Sequence, residues 1–134
     1  WGGTSPKGVD CSGFVRTVLY LHDIIIPRNA SQQAKVGKRI QPQDDYADLQ
    51  PGDLLFFGSK NQDGSPKRVV HVGISLGGCR FIHSLGYVHT GSFNPLDADY
   101  DEYERNRFLF AARILPYVNQ DTQIRSTDNI SLYQ

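Results

Sequence analysis

The chain has 134 residues, enough for one hydrophobic core and small for two. Lysine plus arginine equals aspartate plus glutamate, 14 of each, so no basic field points to nucleic acid and no acidic run to a cation store. The longest apolar runs, Ile24-Ile25-Ile26 and Leu54-Leu55-Phe56-Phe57, are far too short to cross a bilayer, so no transmembrane segment is expected.

Residues 1–9, Trp-Gly-Gly-Thr-Ser-Pro-Lys-Gly-Val, read as loop. No basic-then-apolar leader opens the chain, and a start in a Gly-rich turn reads as a domain trimmed from something longer. A helix is expected over 11–22: Phe14, Val15, Val18 and Leu19 fall on one face, with Arg16, Thr17 and Tyr20 between them. Asp10 is its natural N-cap, which sets Cys11 in the first turn at the positive end of the helix dipole. That position lowers a thiol pKa and favours the thiolate that attacks carbonyls. Ile24-Ile25-Ile26-Pro27 should be extended, because the residue before a proline is pushed out of the helical region. A short second helix is expected over 31–36, capped by Asn29 or Ser31 and stopped by Gly37.

After the turn Gln50-Pro51-Gly52 the pattern changes to strands, over 53–58, 69–76, 80–83 and 87–93. The charged segment 97–107 reads as a loop or short helix, 108–115 as a closing strand, and the residues from Asn119 as a polar tail. Helices first and an antiparallel meander afterwards argue an α+β fold with the Cys11 helix packed on the sheet.

His71 sits in Val69-Val70-His71-Val72-Gly73-Ile74, an otherwise apolar strand where an unpaired polar ring would cost about 1–3 kcal/mol. A hairpin turning at Gly77-Gly78 sets His83 directly opposite His71 on the same face, with Cβ atoms about 5 Å apart. Thiolate, general base and orienting imidazole would then be Cys11, His71 and His83. A lone strand histidine is more often structural than catalytic, and the pair with Cys11 also resembles three metal ligands. A structural zinc site needs a fourth, which no short spacing offers. His22 ends a helix, His89 reads as an exposed strand residue, and Asp53 as the acceptor of a turn hydrogen bond. Cys79 is expected as a buried strand residue.

Five motifs in order resemble the NlpC/P60 cysteine peptidases: Trp1-Gly2-Gly3; Asp10-Cys11-Ser12-Gly13-Phe14; Pro27-Arg28 with Ala30-Ser31-Gln32-Gln33; Leu49 to Phe57; and His71-Val72-Gly73-Ile74 with Phe81-Ile82-His83. The resemblance implies a papain-like fold, a catalytic domain over residues 1–118 with a tail over 119–134, and hydrolysis of murein stem peptides without a cofactor. It implies the branch that cuts the γ-D-glutamyl–diamino acid bond, with Cys11 as nucleophile, His71 as base and His83 as the third residue. Asp10, Ser12 and Trp1 would bind substrate, Asp10 holding the free amine of an N-terminal L-Ala. It further implies an upstream tyrosine and helix, N-terminal SH3-like domains, and a cell-envelope, periplasmic or secreted location. An amidase releasing L-Ala from muramic acid, an acyltransferase, and a non-catalytic wall-binding module are the alternatives on the same fold.

Overall fold

The structure is a computed structural model that describes residues 10–120 and 123–126. Trp1 and the Gly-rich opening therefore lie outside the described residues. Helix α1 (Cys11–Leu21) begins at its Asp10 cap, whose carboxylate accepts the Gly13 amide, and ends at His22. Strand β1 (Ile24–Ile25) and helix α2 (Ala30–Gln33) follow. Helix α2 starts from Asn29, whose amide is held by the Gln32 side chain 3.4 Å away. Six strands form the main sheet: β2 (Lys38–Ile40), β3 (Leu54–Lys60), β4 (Pro66–Gly77), β5 (Arg80–Ser84), β6 (Val88–Ser92) and, after helix α3 (Glu102–Arg107), β7 (Phe108–Arg113). Their spatial order is β2-β7-β3-β4-β5-β6, every pairing antiparallel.

Strand β3 is central, and Leu54, Leu55, Phe56 and Phe57 are all fully buried because both faces of the sheet are covered. Leu54 and Phe56 join Val72, Ile74 and Phe110 against Val15 and Leu19 of α1. Leu55 and Phe57 join Leu49, Phe81, Phe93 and Phe108 on the opposite face. Strict alternation along one strand thus builds two cores. Past β7 the chain is tied back: Ile124 is fully buried, and β8 (Arg125–Ser126) pairs with β1.

The expected strands are present, with three differences. Strand β2 was not expected; it is a three-residue edge strand whose Lys38 and Arg39 are exposed, too short to carry an alternation signal. The β4–β5 turn is made by Gly78 and Cys79 rather than Gly77-Gly78, and the ladder slips by one residue between Ser75 and Gly77. Cys79 is consequently a half-buried turn residue, its Sγ 3.5 Å from the Asp45 carbonyl, and not a buried strand residue. Asp53 does make the expected turn hydrogen bond, 2.9 Å from the Gln50 amide, and is also clamped by Arg113 at 3.0 and 2.8 Å.

Candidate functional site

Helix α1 packs along β4 and brings Cys11 to a particular point on that strand. Strand β5 pairs with β4 only from Gly73 onward, so the edge beside His71 and Val72 is left to the helix N-terminus. The Val72 amide there acts on the Cys11 sulfur, favouring its thiolate. Cys11 is half-buried and free of any disulfide. Burial pushes its thiol above the ordinary range, and the Asp10 charge adds to this, while the amides of Val72 and Ser12 pull the other way. The expected lowering by the helix terminus is therefore outweighed: at rest the group is a thiol.

His71 and His83 are on one face, but they are not directly opposed. The register pairs His83 with Gly73 and His71 with Phe57, so the two histidines are diagonal neighbours. The cause is the later turn and the bulge before it, which together move the position opposed to His83 by two residues, from His71 to Gly73. Glycine at 73 leaves the space through which the rings meet, and His71 Nε2 lies 2.8 Å from His83 Nδ1. Phe57 and Phe81 pack on the two imidazoles at centroid distances of 5.4 and 5.0 Å. Burial, reinforced by His83, Arg107 and His89, lowers the His71 pKa to about 3. Burial and then His89 lower that of His83 to about 4, against a smaller opposing effect of Asp101. Both rings are neutral at neutral pH.

A residue that sequence reasoning missed completes the cluster. Glu104 of α3 is fully buried, with its Oε2 3.1 Å from His71 Nε2 and 3.6 Å from His83 Nδ1. Its other oxygen is gripped by Arg107 Nε and Nη2 at 2.7 and 2.6 Å. His89, read from sequence as an exposed residue without context, pairs with His83 across β5 and β6, ring centroids 4.3 Å apart. The donor atoms of His71, His83 and Glu104 are close enough together to be considered for a metal ion. The 2.8 Å separation of the ring nitrogens is a hydrogen-bond distance, and the arrangement reads as a proton relay.

Beside Cys11, Asp10 and Ser12 converge on Arg28, which had no assigned role. Arg28 Nη2 lies 3.1 Å from Asp10 Oδ2, and Nη1 lies 3.1 Å from Ser12 Oγ. Burial raises the Asp10 carboxyl, but Arg28 and the Gly13 amide together hold it below the ordinary range. Buried Gln33 braces this turn from α2, its Nε2 reaching the carbonyls of Pro27 at 2.8 Å and Ser12 at 3.3 Å. The motif over 30–33 is thereby a strut for the start of α1. A thiol at the N-terminus of a helix packed on β4, and a neutral imidazole on that strand held by a second polar ring, are the groups a sulfur nucleophile and a proton carrier require.

Comparison with known proteins bears on the family and the fold. The NlpC/P60 family model matches residues 1–108. A γ-D-glutamyl-L-lysine dipeptidyl-peptidase of Bacillus subtilis is 43% identical over 84 residues, covering 63% of this chain and 26% of that protein. The murein DD-endopeptidase MepS/murein LD-carboxypeptidase of Escherichia coli is 34% identical over 115 residues, covering 85% of this chain and 54% of that protein. The crystal structure of an NlpC/P60 family protein from Bacillus cereus superimposes with a TM-score of 0.64 at 31% identity, over 81% of this chain and 32% of that one. The chain thus spans only about a quarter to a half of the length of these curated relatives. With the α+β architecture, the matched residues and the shared fold in agreement, the chain belongs to the NlpC/P60 family.

Proposed function

We propose that the chain is a cysteine peptidase of bacterial cell-wall stem peptides, acting on the γ-D-glutamyl–diamino acid bond of peptides with a free N-terminal L-Ala. The observation that carries this reading is Cys11 in the first turn of a helix packed on β4, the strand that holds His71 with its Nε2 2.8 Å from His83. His71 Nδ1 is then the ring nitrogen available to the thiol. Cys11 Sγ transfers its proton to His71 as it attacks the γ-carbonyl carbon, and the carbonyl oxygen takes the negative charge near the helix-start amides. His71 returns the proton to the diamino acid nitrogen as the C–N bond breaks. Water then hydrolyses the thioester by the same route in reverse. Because the resting pair is thiol and neutral imidazole, proton transfer accompanies attack.

Asp10 and Ser12 are proposed to receive the L-Ala amine. The carboxylate is half-exposed and offers an ammonium a partner alongside Arg28. Trp1 is proposed as a further substrate contact. The Bacillus subtilis relative is named for a γ-D-glutamyl-L-lysine bond and the Escherichia coli one for different murein bonds, so bond choice is the point to test. The murein substrate and an envelope location rest on these relatives; among the described residues no helix is long and apolar enough to cross a membrane. The assay is mass spectrometry of L-Ala-γ-D-Glu-diaminopimelate and of intact muropeptide after incubation. Release of L-Ala-D-Glu from the tripeptide, lost in Cys11→Ala and in His71→Ala, is expected. Turnover retained in Cys11→Ala, or release of L-Ala from muramic acid alone, overturns the reading.

A further inference from the structure

We infer that Glu104, fixed by Arg107, is a positioning residue that selects the productive tautomer of the histidine pair and supplies the counter-charge for a protonated His71. The inference rests on the cysteine-peptidase reading above.

A 2.8 Å contact between two ring nitrogens holds one proton, which can sit on either. If His83 Nδ1 carries it, His71 Nε2 is the acceptor, and a neutral His71 must then hold its own proton on Nδ1, where it cannot accept from Cys11. Only a proton on His71 Nε2 leaves Nδ1 bare. Two carboxylates favour that state. Glu104 Oε2 lies nearer to His71 Nε2, 3.1 Å, than to His83 Nδ1, 3.6 Å, and so stabilises a proton on the former. Asp101 Oδ2 lies 3.8 Å from His83 Nε2 and stabilises that ring's proton on the far nitrogen, leaving Nδ1 as acceptor.

Glu104 Oε2 and His83 Nε2 are both buried atoms without a hydrogen bond of good geometry. A buried carboxylate oxygen left unsatisfied costs more than a neutral group would. When His71 takes the thiol proton on Nδ1 and becomes an imidazolium, the charge attraction between the ring and this oxygen grows, so the interaction strengthens as the reaction proceeds. Arg107 makes the arrangement possible: its two short contacts to Oε1 keep Glu104 in one rotamer and oppose the upward push that burial exerts on its carboxyl. The titratable and charged groups around the histidine pair are His89 on β6, and Asp101, Glu104 and Arg107 from α3 and its cap, with Cys11 on the helix packed against β4. Among these, Glu104 is the carboxylate whose oxygen lies within 3.1 Å of the base.

The test is the pH dependence of tripeptide hydrolysis by the full chain, with Cys11→Ala as reference. Glu104→Gln keeps the shape but offers an amide N–H to His71 Nε2, which favours the wrong tautomer. It should lower kcat by about 30-fold or more with KM within about threefold, and move the limb that reports His71 to lower pH. Glu104→Asp, which keeps the charge, should recover part of the loss. Arg107→Gln should move the acid limb to higher pH, because Glu104 then holds its proton longer. A folded Glu104→Gln with unchanged kcat and profile overturns the inference while leaving the peptidase reading intact. Activity surviving in Cys11→Ala overturns the reading beneath it. If Glu104→Gln does not fold, Arg107→Gln decides, since its side chain is partly exposed, and an unchanged profile there is the negative result.

Discussion

At Gly73 a side chain would press on His83. A Cβ built there lies 3.1 Å from His83 Cβ and 3.1 Å from the Ile82 carbonyl, tighter than most real contacts, with the Phe57 ring 3.8 Å away. The neighbour with most freedom is His83, and moving it breaks the 2.8 Å contact to His71. Gly73→Ala should therefore cost about 1–2 kcal/mol in denaturant unfolding, and about tenfold in kcat, the lower end for a disturbed acid–base group. Unchanged kcat would mean the strand absorbs the methyl elsewhere. This spacing also explains what could be read of the cluster beforehand. The shared face of His71 and His83 follows from the twelve-residue gap and is robust to a slip of two. Their direct opposition depended on where the turn falls, and a bulge at Leu76 changes that without a composition signal. Glu104 was hidden for another reason. Residues 97–107 carry so many charges that a buried carboxylate looks like its solvated neighbours until α3 is docked.

Helix α1 shows how one side chain serves structure and chemistry at once. Asp10 caps the helix through the Gly13 amide and bridges to Arg28, both ending beside Cys11. Asparagine keeps the cap and removes the charge; alanine removes both. Asp10→Asn should unfold within about 0.5 kcal/mol of the parent, whereas Asp10→Ala should lose about 1 kcal/mol. If the carboxylate holds the L-Ala amine, both variants should raise KM for the tripeptide by about tenfold, as expected for about 1.4 kcal/mol of lost interaction. They should leave an N-acetylated analogue unaffected; equal KM for both substrates in Asp10→Asn would confine Asp10 to the helix start. At this scale the sequence was informative where periodicity ran long: α1, β3, β4 and β7 were all legible from apolar spacing and turn residues. It was silent where an element gains its identity from a partner, as β2 does from β7.

Over the whole molecule, the buried histidines link stability to pH. His71 and His83 have folded pKa values of about 3 and about 4, below the ordinary 6.5. In the unfolded chain both would bind a proton as pH falls through 6.5, while the folded protein refuses it until much lower pH. The stability they contribute is therefore fully present above about 6.5 and is lost as pH falls toward 4. Each histidine adds a slope of about 1.4 kcal/mol per pH unit over that window. Glu104 acts in the opposite sense, because its carboxyl is raised by burial: its contribution is present below the ordinary carboxylate value and is lost as pH rises through its raised one. The net slope between pH 6 and pH 4.5 should therefore lie between that of one histidine and that of two, about 1.4–2.8 kcal/mol per unit. Urea unfolding at a series of pH values measures it. In His83→Gln the slope should fall by roughly half. A parent slope near zero across that window would mean that the two imidazoles are protonated in the folded chain, and the resting thiol–imidazole state proposed here would give way to a preformed thiolate–imidazolium pair.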